Sequence, residues 1–247
     1  MSENNPEKVK PYDNASGGKK EQVTRMFDNI AGGYDFLNRL LSARFDVTWR
    51  KKLINMILSH SPDRVLDVAT GTGDVAITLA QQDDKVIVDG ADISQKMLEI
   101  AVRKIKKAGL DDRIQVFEGD AEQMDQSDNT YDVVTASFGV RNFENLEKGL
   151  SEMYRVTKPG GFIYVLEFSK PKIFPIKQAY NFYFENILPL IGRIKSRDPK
   201  AYQYLYESVQ AFPDREKFLE KLQEVGFLDV HSTELTLGIC HIYSGKK

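Results

Sequence analysis

The pattern of apolar and polar positions changes rhythm along the chain. From Glu21 to Ser59 apolar residues recur at helical spacing. Val23, Met26, Phe27 and Ile30 share one face, Leu37, Leu40 and Leu41 begin a second, and Leu53, Ile54, Ile57 and Leu58 a third. Gly32-Gly33 separates the first two. From Arg64 onward, short apolar runs alternate with helical stretches. Val65–Ala69 has the length of a strand, runs into Gly71-Thr72-Gly73, and is followed by a helix to Gln81. Lys85–Val88 predicts a second strand, ending near Asp92. Ile114–Phe117, Tyr131–Ala136 and Gly161–Phe168 predict three more. Helices are predicted over Gln95–Ala108, stopped by Gly109, and over Leu146–Val156, with a turn at Lys158-Pro159-Gly160-Gly161. A helix over Asp214–Val225 and two β-rich segments, Phe227–Ser232 and Leu235–Tyr243, close the chain. This alternation predicts an α/β fold with a doubly wound, mostly parallel seven-stranded sheet that ends in a C-terminal antiparallel hairpin.

The same pattern sets the organisation. Residues 1–20 are polar, carry Pro6, Pro11, Gly17 and Gly18, and read as a flexible tail; ordering over a ligand is the alternative. Residues 21–247 read as one domain, with 21–60 as a helical cover and 172–212 as a helical lid insertion. The insertion holds nine aromatics in 41 residues, about twice the chain average of 11%, enough to wall an apolar channel or to pack a helical core. Between 172 and 200, Lys172, Lys177, Arg193, Lys195, Arg197 and Lys200 face only Glu185 and Asp198. Bases interleaved with Ile173, Phe174, Ile187, Leu188, Leu190, Ile191 and Ile194 predict contact with an anionic membrane surface.

Composition narrows the classes. The 247 residues are 41% apolar and 28% charged, with 36 acids against 34 bases. A net charge of −2 argues against a nucleic-acid binder that relies on a global positive field. Cys240, the single cysteine, excludes an internal disulfide and a cysteine-built zinc site, and no metal site is expected. The first 20 residues hold no apolar stretch of the secretory kind, and no run approaches the roughly 20 apolar residues that span a bilayer. The basic run Arg103–Lys107 reads as a solvated helix face.

The chemistry centres on Gly71-Thr72-Gly73-Asp74-Val75-Ala76, a G-x-G-x-x-A loop between a strand and a helix. Its glycines let the backbone turn and approach a ligand closely. Asp92, about 20 residues on, is placed to accept hydrogen bonds from ribose hydroxyls. Asp67 and Asp74 flank the loop and would repel a pyrophosphate while suiting a cation. S-adenosylmethionine combines an adenosine with an ammonium and a sulfonium, and so fits both features. A helix-capping role for Asp74 remains the plain alternative. Asp120-Ala121, after the third strand, could meet the adenine edge.

These stretches resemble class I S-adenosylmethionine-dependent methyltransferases, and more narrowly the menaquinone/ubiquinone C-methyltransferases. The resemblance rests on Met26–Ala31 with Tyr34–Asn38, Leu66–Asp74, Ser137-Phe138-Gly139-Val140-Arg141-Asn142, Tyr154-Arg155-Val156 with Lys158–Gly161, and Leu166–Pro171. It implies cofactor contacts at Thr72, Asp92, Asp120, Ala121 and Ser137, beside Asp67, Gly71 and Gly73 of the loop. It implies methyl transfer to a ring carbon of a prenylated quinol, with demethylmenaquinol favoured. Ubiquinone-pathway methylation, another hydrophobic phenol, a cofactor-binding protein without turnover and an NAD-dependent dehydrogenase are the competing readings. Arg141, Asn142 and Tyr34 are the candidate catalytic residues, Arg141 to stabilise a developing phenolate. Asp35, Asn38 and Glu167 are further candidates, and His241 reads as structural. A cytoplasmic enzyme peripheral to the inner membrane face is expected, with a homodimer left open.

Overall fold

The computed structural model describes residues 9–12, 16–42, 44–183, 186 and 199–247. Seven strands form one sheet in the order β3-β2-β1-β4-β5-β7-β6. They are β1 (Arg64–Val68), β2 (Ile87–Asp92), β3 (Ile114–Glu118), β4 (Tyr131–Ser137), β5 (Thr157–Phe168), β6 (Leu228–Leu235) and β7 (Cys240–Lys246). The first five are parallel, and β7 lies antiparallel between β5 and β6. This is the doubly wound sheet with a terminal hairpin that the alternation predicts.

Two apolar cores follow from the two-residue period of strands, which sends successive side chains to opposite faces. Val65, Val133 and Leu166 join one core, and Leu66, Val134 and Val165 the other. Helices α3 (Phe45–Leu58), α4 (Asp74–Gln82) and α5 (Gln95–Ala108) cover the first face with Leu53, Ile54, Leu79 and Ile105. Helix α6 (Leu146–Val156) covers the second with Leu150 and Met153, and the helix over Glu216–Glu224 does so with Phe218 and Leu222.

Three boundaries differ from expectation, each for a physical reason. Strand β2 starts at Ile87, two residues later than expected, and ends at Asp92 as expected, so it contains Asp89 and Gly90, residues that disfavour strands. The charge of buried Asp89 is met by Arg64 at 2.7 Å and the Tyr131 hydroxyl at 2.9 Å. At Gly90 a Cβ would sit 3.0 Å from the Thr70 and Val116 side chains, so a larger residue would have to push them aside. The turn at residues 158–161 lies inside β5 as an excursion. Tyr131 pairs with Thr157 and Val133 with Phe162, so four residues bulge out opposite Asp132 alone. The hairpin turn falls at residues 236–239, because Leu235 pairs with Cys240 and Gly238 takes a φ of 84°.

The N-terminal cover is built from α1 (Lys19–Ile30), α2 (Tyr34–Leu41) and α3. Residues 1–8 and 13–15 of the expected tail lie outside the described residues. The remainder is held rather than free. The Tyr12 amide donates to Gln22, and Lys19 is buried with its amine donating to the Arg141 and Phe143 carbonyls. Of the lid insertion, α7 (Ile176–Phe182) and α8 (Pro199–Ala211) are described; Arg193, Lys195, Arg197 and the apolar residues 187–194 lie outside the described residues. The helix over Glu216–Glu224 is α9. The lid aromatics divide: Tyr180, Tyr204 and Phe212 are buried, whereas Phe174 and Phe182 are exposed. Among the described residues, no helix is long and apolar enough to cross a membrane.

Trp49 joins the cover to the sheet. It is 2% exposed, packs edge-on against Phe168, and donates from its indole nitrogen to Thr236 in the hairpin turn at 2.8 Å. Replacing it with phenylalanine is expected to cost about 1–2 kcal/mol, and with alanine about 3–5 kcal/mol, as loss of a buried ring leaves a cavity. Urea unfolding followed by circular dichroism checks this; an alanine variant losing under about 1 kcal/mol would show that the ring anchors nothing.

Candidate active site

The site forms at the carboxyl ends of β1 to β4, where strand order reverses between β1 and β4 and the crossovers leave a crevice. A cleft of about 640 Å³ opens there, with a second chamber of about 380 Å³ behind the glycine loop. Tyr34, Ala69, Gly71, Ser137 and Phe138 line both spaces and form the neck between them.

The glycine loop is a series of left-handed turns. Ala69, Gly71 and Gly73 have φ of 54°, 57° and 81°. At Gly73 a Cβ would also come within 3.3 Å of the Ala101 Cβ, which fixes how closely α4 and α5 can pack. Asp92 ends β2 and ties the loop down: one oxygen accepts from the Gly71 amide and the other from the Ser94 amide, both at 2.8 Å. Burial still dominates, pushing its pKa up to about 6. Asp67, on β1, is 1% exposed and accepts from the Thr70 hydroxyl at 2.6 Å. Burial, with the charge of Asp92 adding, pushes it up to about 7.

Asp74 is placed differently from the free acid that the sequence suggests. It opens α4 without capping it; Gly73 is the cap residue and makes no side-chain bond. Lys104 of α5 pairs with Asp74, and Arg50 of α3 lies 3.4 Å from it. Lys104 also reaches Asp35 at 3.1 Å and the Thr72 hydroxyl at 3.0 Å. Thr72 in turn donates to Asp35 at 2.6 Å, so its hydroxyl is engaged on both sides. Lys104 therefore departs from the solvated face expected for residues 103–107. Its partners stand 30, 32 and 69 residues away, out of reach of any local pattern.

At the far end of the cleft, Asp120 accepts from the Glu122 amide at 2.9 Å and from the Lys20 amine at 2.7 Å. Lys20 lies in the first turn of α1 and also meets Glu122 at 3.2 Å, so α1 is strapped across this end. Ala121 lines the cleft beside them. Ser137 ends β4, and its buried hydroxyl has no hydrogen-bond partner among the described residues.

The stretch after β4 forms the opposite wall. Phe138 takes a φ of 59°, costly for a bulky residue, and a Cβ on Gly139 would overlap the Ala69 Cβ at 2.5 Å. The Phe138 carbonyl accepts from Arg141 at 2.6 Å and from the Asn142 amide at 3.3 Å. Asn142 lines the cleft and accepts from the Tyr204 hydroxyl of α8 at 3.2 Å, so the lid helix holds the wall. Arg141 stands behind this wall. Its guanidinium is buried, pairs with Glu167 of β5 at 2.6 Å, and is not among the groups lining the cleft. Burial pushes the Glu167 pKa up against the opposing pull of Arg141. Tyr34, the first residue of α2, faces the neck; its hydroxyl bonds Asn38, and burial pushes its pKa up.

His241 lies apart in β7, with its Nδ1 2.7 Å from the Ser232 hydroxyl. It lines neither space, which agrees with a structural histidine. Among the described residues no group of three or more His, Cys, Asp or Glu side chains could hold a metal ion. Lys20, Arg50 and Lys104 are the site residues missing from the sequence reading.

A doubly wound sheet with a glycine loop, an acid ending β2 at the cleft and a buried acid beside the loop is a frame that can hold a nucleoside cofactor. The ubiE/COQ5 methyltransferase family model matches residues 15–247, and the chain belongs to that family. It is 44% identical over 241 residues to the demethylmenaquinone methyltransferase of Bacteroides fragilis, covering 98% of each chain. It is 44% identical to that of Porphyromonas gingivalis over 98% of this chain and 99% of the other. Against the ubiquinone/menaquinone biosynthesis C-methyltransferase UbiE of Geobacter sulfurreducens it is 43% identical, covering 93% and 90%. A solved SAM-dependent methyltransferase from Thermotoga maritima has the same fold, with a TM-score of 0.63 and 21% identity over 90% of this chain and 99% of the other.

The enzyme's cofactor is S-adenosylmethionine. The residues present fit it. The orphaned Ser137 hydroxyl and the Asp92 carboxylate face the cleft, and the raised Asp67 carboxyl at the chamber accommodates a cation.

The raised carboxyls set a pH dependence. Asp67 binds its proton more tightly folded than at its ordinary value of 3.8, so its contribution to stability is complete below that value and is lost as pH rises towards about 7. We propose that Asp67 meets the cofactor's positive charge, so that binding needs the ionised form and runs the other way. Without cofactor the protein should melt lower at pH 8 than at pH 6, while cofactor affinity rises several-fold over that interval. Scanning calorimetry and titration calorimetry check both, and Asp67→Asn should flatten both trends.

Proposed function

We propose that the chain methylates a ring carbon of a prenylated quinol, with demethylmenaquinol as the substrate. The observation that carries this reading is the 44% identity, over 98% of both chains, to proteins named demethylmenaquinone methyltransferase. The engagement of Asn142 by the aromatic lid supports it.

The cofactor supplies an electrophilic methyl on a sulfonium. The chain's part is to orient two ligands and favour loss of a phenol proton. Asp92 accepts from the ribose, Ser137 and the Asp120-Ala121 turn meet the adenosine, and Asp67 balances the positive charge of the amino-acid end. Gly71 belongs to the neck between the two spaces, Thr72 lines the chamber, and Gly73 sets the turn into α4. Asn142 and Tyr34 present polar groups to the quinol ring from opposite sides of the cleft. Arg141 does not touch that ring in this reading. It acts by holding the Phe138 carbonyl, and with it the wall on which Asn142 stands, while Glu167 balances its charge. As a permanent cation it takes no proton.

Two tests follow. Cells lacking the protein should accumulate the desmethyl quinone by mass spectrometry; an unchanged quinone pool would contradict the substrate. Arg141→Ala should lower turnover at least tenfold in a direct methyl-transfer assay, with cofactor affinity changed less than threefold. Turnover equal to the parent would remove Arg141 from the account.

We further propose that the lid meets an anionic membrane, where a prenylated substrate resides. Phe174 is 77% exposed and Ile173 53%, and exposed Lys172 and Lys177 flank them. In liposome flotation with anionic lipid, Phe174→Asp should reduce the bound fraction several-fold at unchanged melting temperature. Binding indifferent to both lipid charge and this substitution counts against the lid contact.

A further inference from the structure

We propose that Arg50 is the residue that recognises the carboxylate of the cofactor's amino-acid end. This rests on the assignment of S-adenosylmethionine to the site. The amino-acid end is a zwitterion. Its ammonium finds carboxyls in abundance in the chamber, where Asp35, Asp67 and Asp74 all line the wall. Its carboxylate would be repelled by the same groups and needs a cation. Among the described residues lining that chamber, Arg50 is the one cationic side chain. Lys104 neutralises Asp35 and Asp74 but does not line the space.

Arg50 is held in place with donors to spare. Its Nη2 reaches Asp46 at 2.6 Å and Asp74 at 3.4 Å. Asp46 is 1% exposed and also accepts from the Ser42 hydroxyl at 2.7 Å, so the guanidinium is anchored from behind. A guanidinium carries five N–H donors in a fixed fork. Those on Nε and Nη1 have no protein partner among the described residues, and the side chain is 13% exposed, at the chamber. An anchored, nearly dry arginine with unused donors is suited to a carboxylate. It also gives the chamber a direction: the acids take the ammonium, and Arg50 takes the carboxylate. The guanidinium would thus select an α-amino acid over a simple amine.

The test compares two probes, S-adenosylmethionine and its decarboxylated form, which keeps the adenosine, sulfonium and ammonium. Titration calorimetry is run on the parent, Arg50→Gln and Arg50→Lys, with thermal melts as a fold control. The parent should bind S-adenosylmethionine at least tenfold tighter than the decarboxylated probe. Arg50→Gln should lose at least tenfold towards S-adenosylmethionine and less than twofold towards the decarboxylated probe. Arg50→Lys should keep part of the preference. If Arg50→Gln fails to fold because Asp46 is left unpaired, Asp46→Asn with Arg50→Gln removes that charge and carries the same expectation. A preference that survives in the glutamine variant overturns the assignment and leaves the carboxylate to backbone amides. Equal weakening of both probes also overturns it, showing a structural role only. A parent indifferent to the carboxylate overturns it while the cofactor stands, and a parent that binds neither probe overturns both readings.

Discussion

A carboxyl group buried in an apolar strand is the constraint on which the site depends. Asp67 sits in β1 between Leu66 and Val68, both buried in the second core, with Thr70 as its hydrogen-bond donor. A buried carboxylate without a countercharge is costly, which is why its pKa rises to about 7. The protein could have neutralised it with a neighbouring base, as Asp89 is neutralised by Arg64 and Asp74 by Lys104. Instead the surrounding bases are spent on the other acids. In the account proposed above, Asp67 is left for a positively charged ligand, whose arrival would favour its ionised form.

The opposite wall is built on a second buried charge, and this one is closed. Arg141 and Glu167 pair behind the cleft and hold the Phe138 carbonyl, while Phe138 itself keeps an unfavourable left-handed backbone. Three separate parts of the chain converge here: Lys19 from α1 on the Arg141 and Phe143 carbonyls, Tyr204 from α8 on Asn142, and Trp49 from α3 against Phe168. The N-terminal helices, α8 and the sheet thus share one support. Rigid walls of this kind suit a reaction whose demand on the protein is alignment of two ligands.

Much of this was legible in the sequence because it is local. Strand–loop–helix alternation gives the sheet, the spacing from Gly71 to Asp92 gives an acid at the end of β2 beside the loop, and Gly109 ends its helix as expected. The pairing state of the acids was not legible. Asp74 reads like Asp67 in a string of letters, yet Lys104 lies 30 residues away and Arg50 on a different helix. The basic run that hides Lys104 looks like solvent-facing charge, because only the packing of α5 against the loop turns one of its lysines inward. Arg141 was legible as part of a distinctive stretch, but its direction was not, since Glu167 lies 26 residues on in another strand. Strand β2 keeps Asp89 despite its poor strand propensity because Arg64 and Tyr131, distant in the chain, meet its charge.

The central claim is that Asp67 waits for a cation. Its most direct test is to observe that carboxyl by NMR with 13C-labelled aspartate, titrating the protein with and without S-adenosylmethionine. The account predicts a midpoint near 7 in the free protein, moved down by more than one pH unit when the cofactor is bound. A midpoint near the ordinary value of 3.8 in the free protein, or one unchanged by the cofactor, would contradict it.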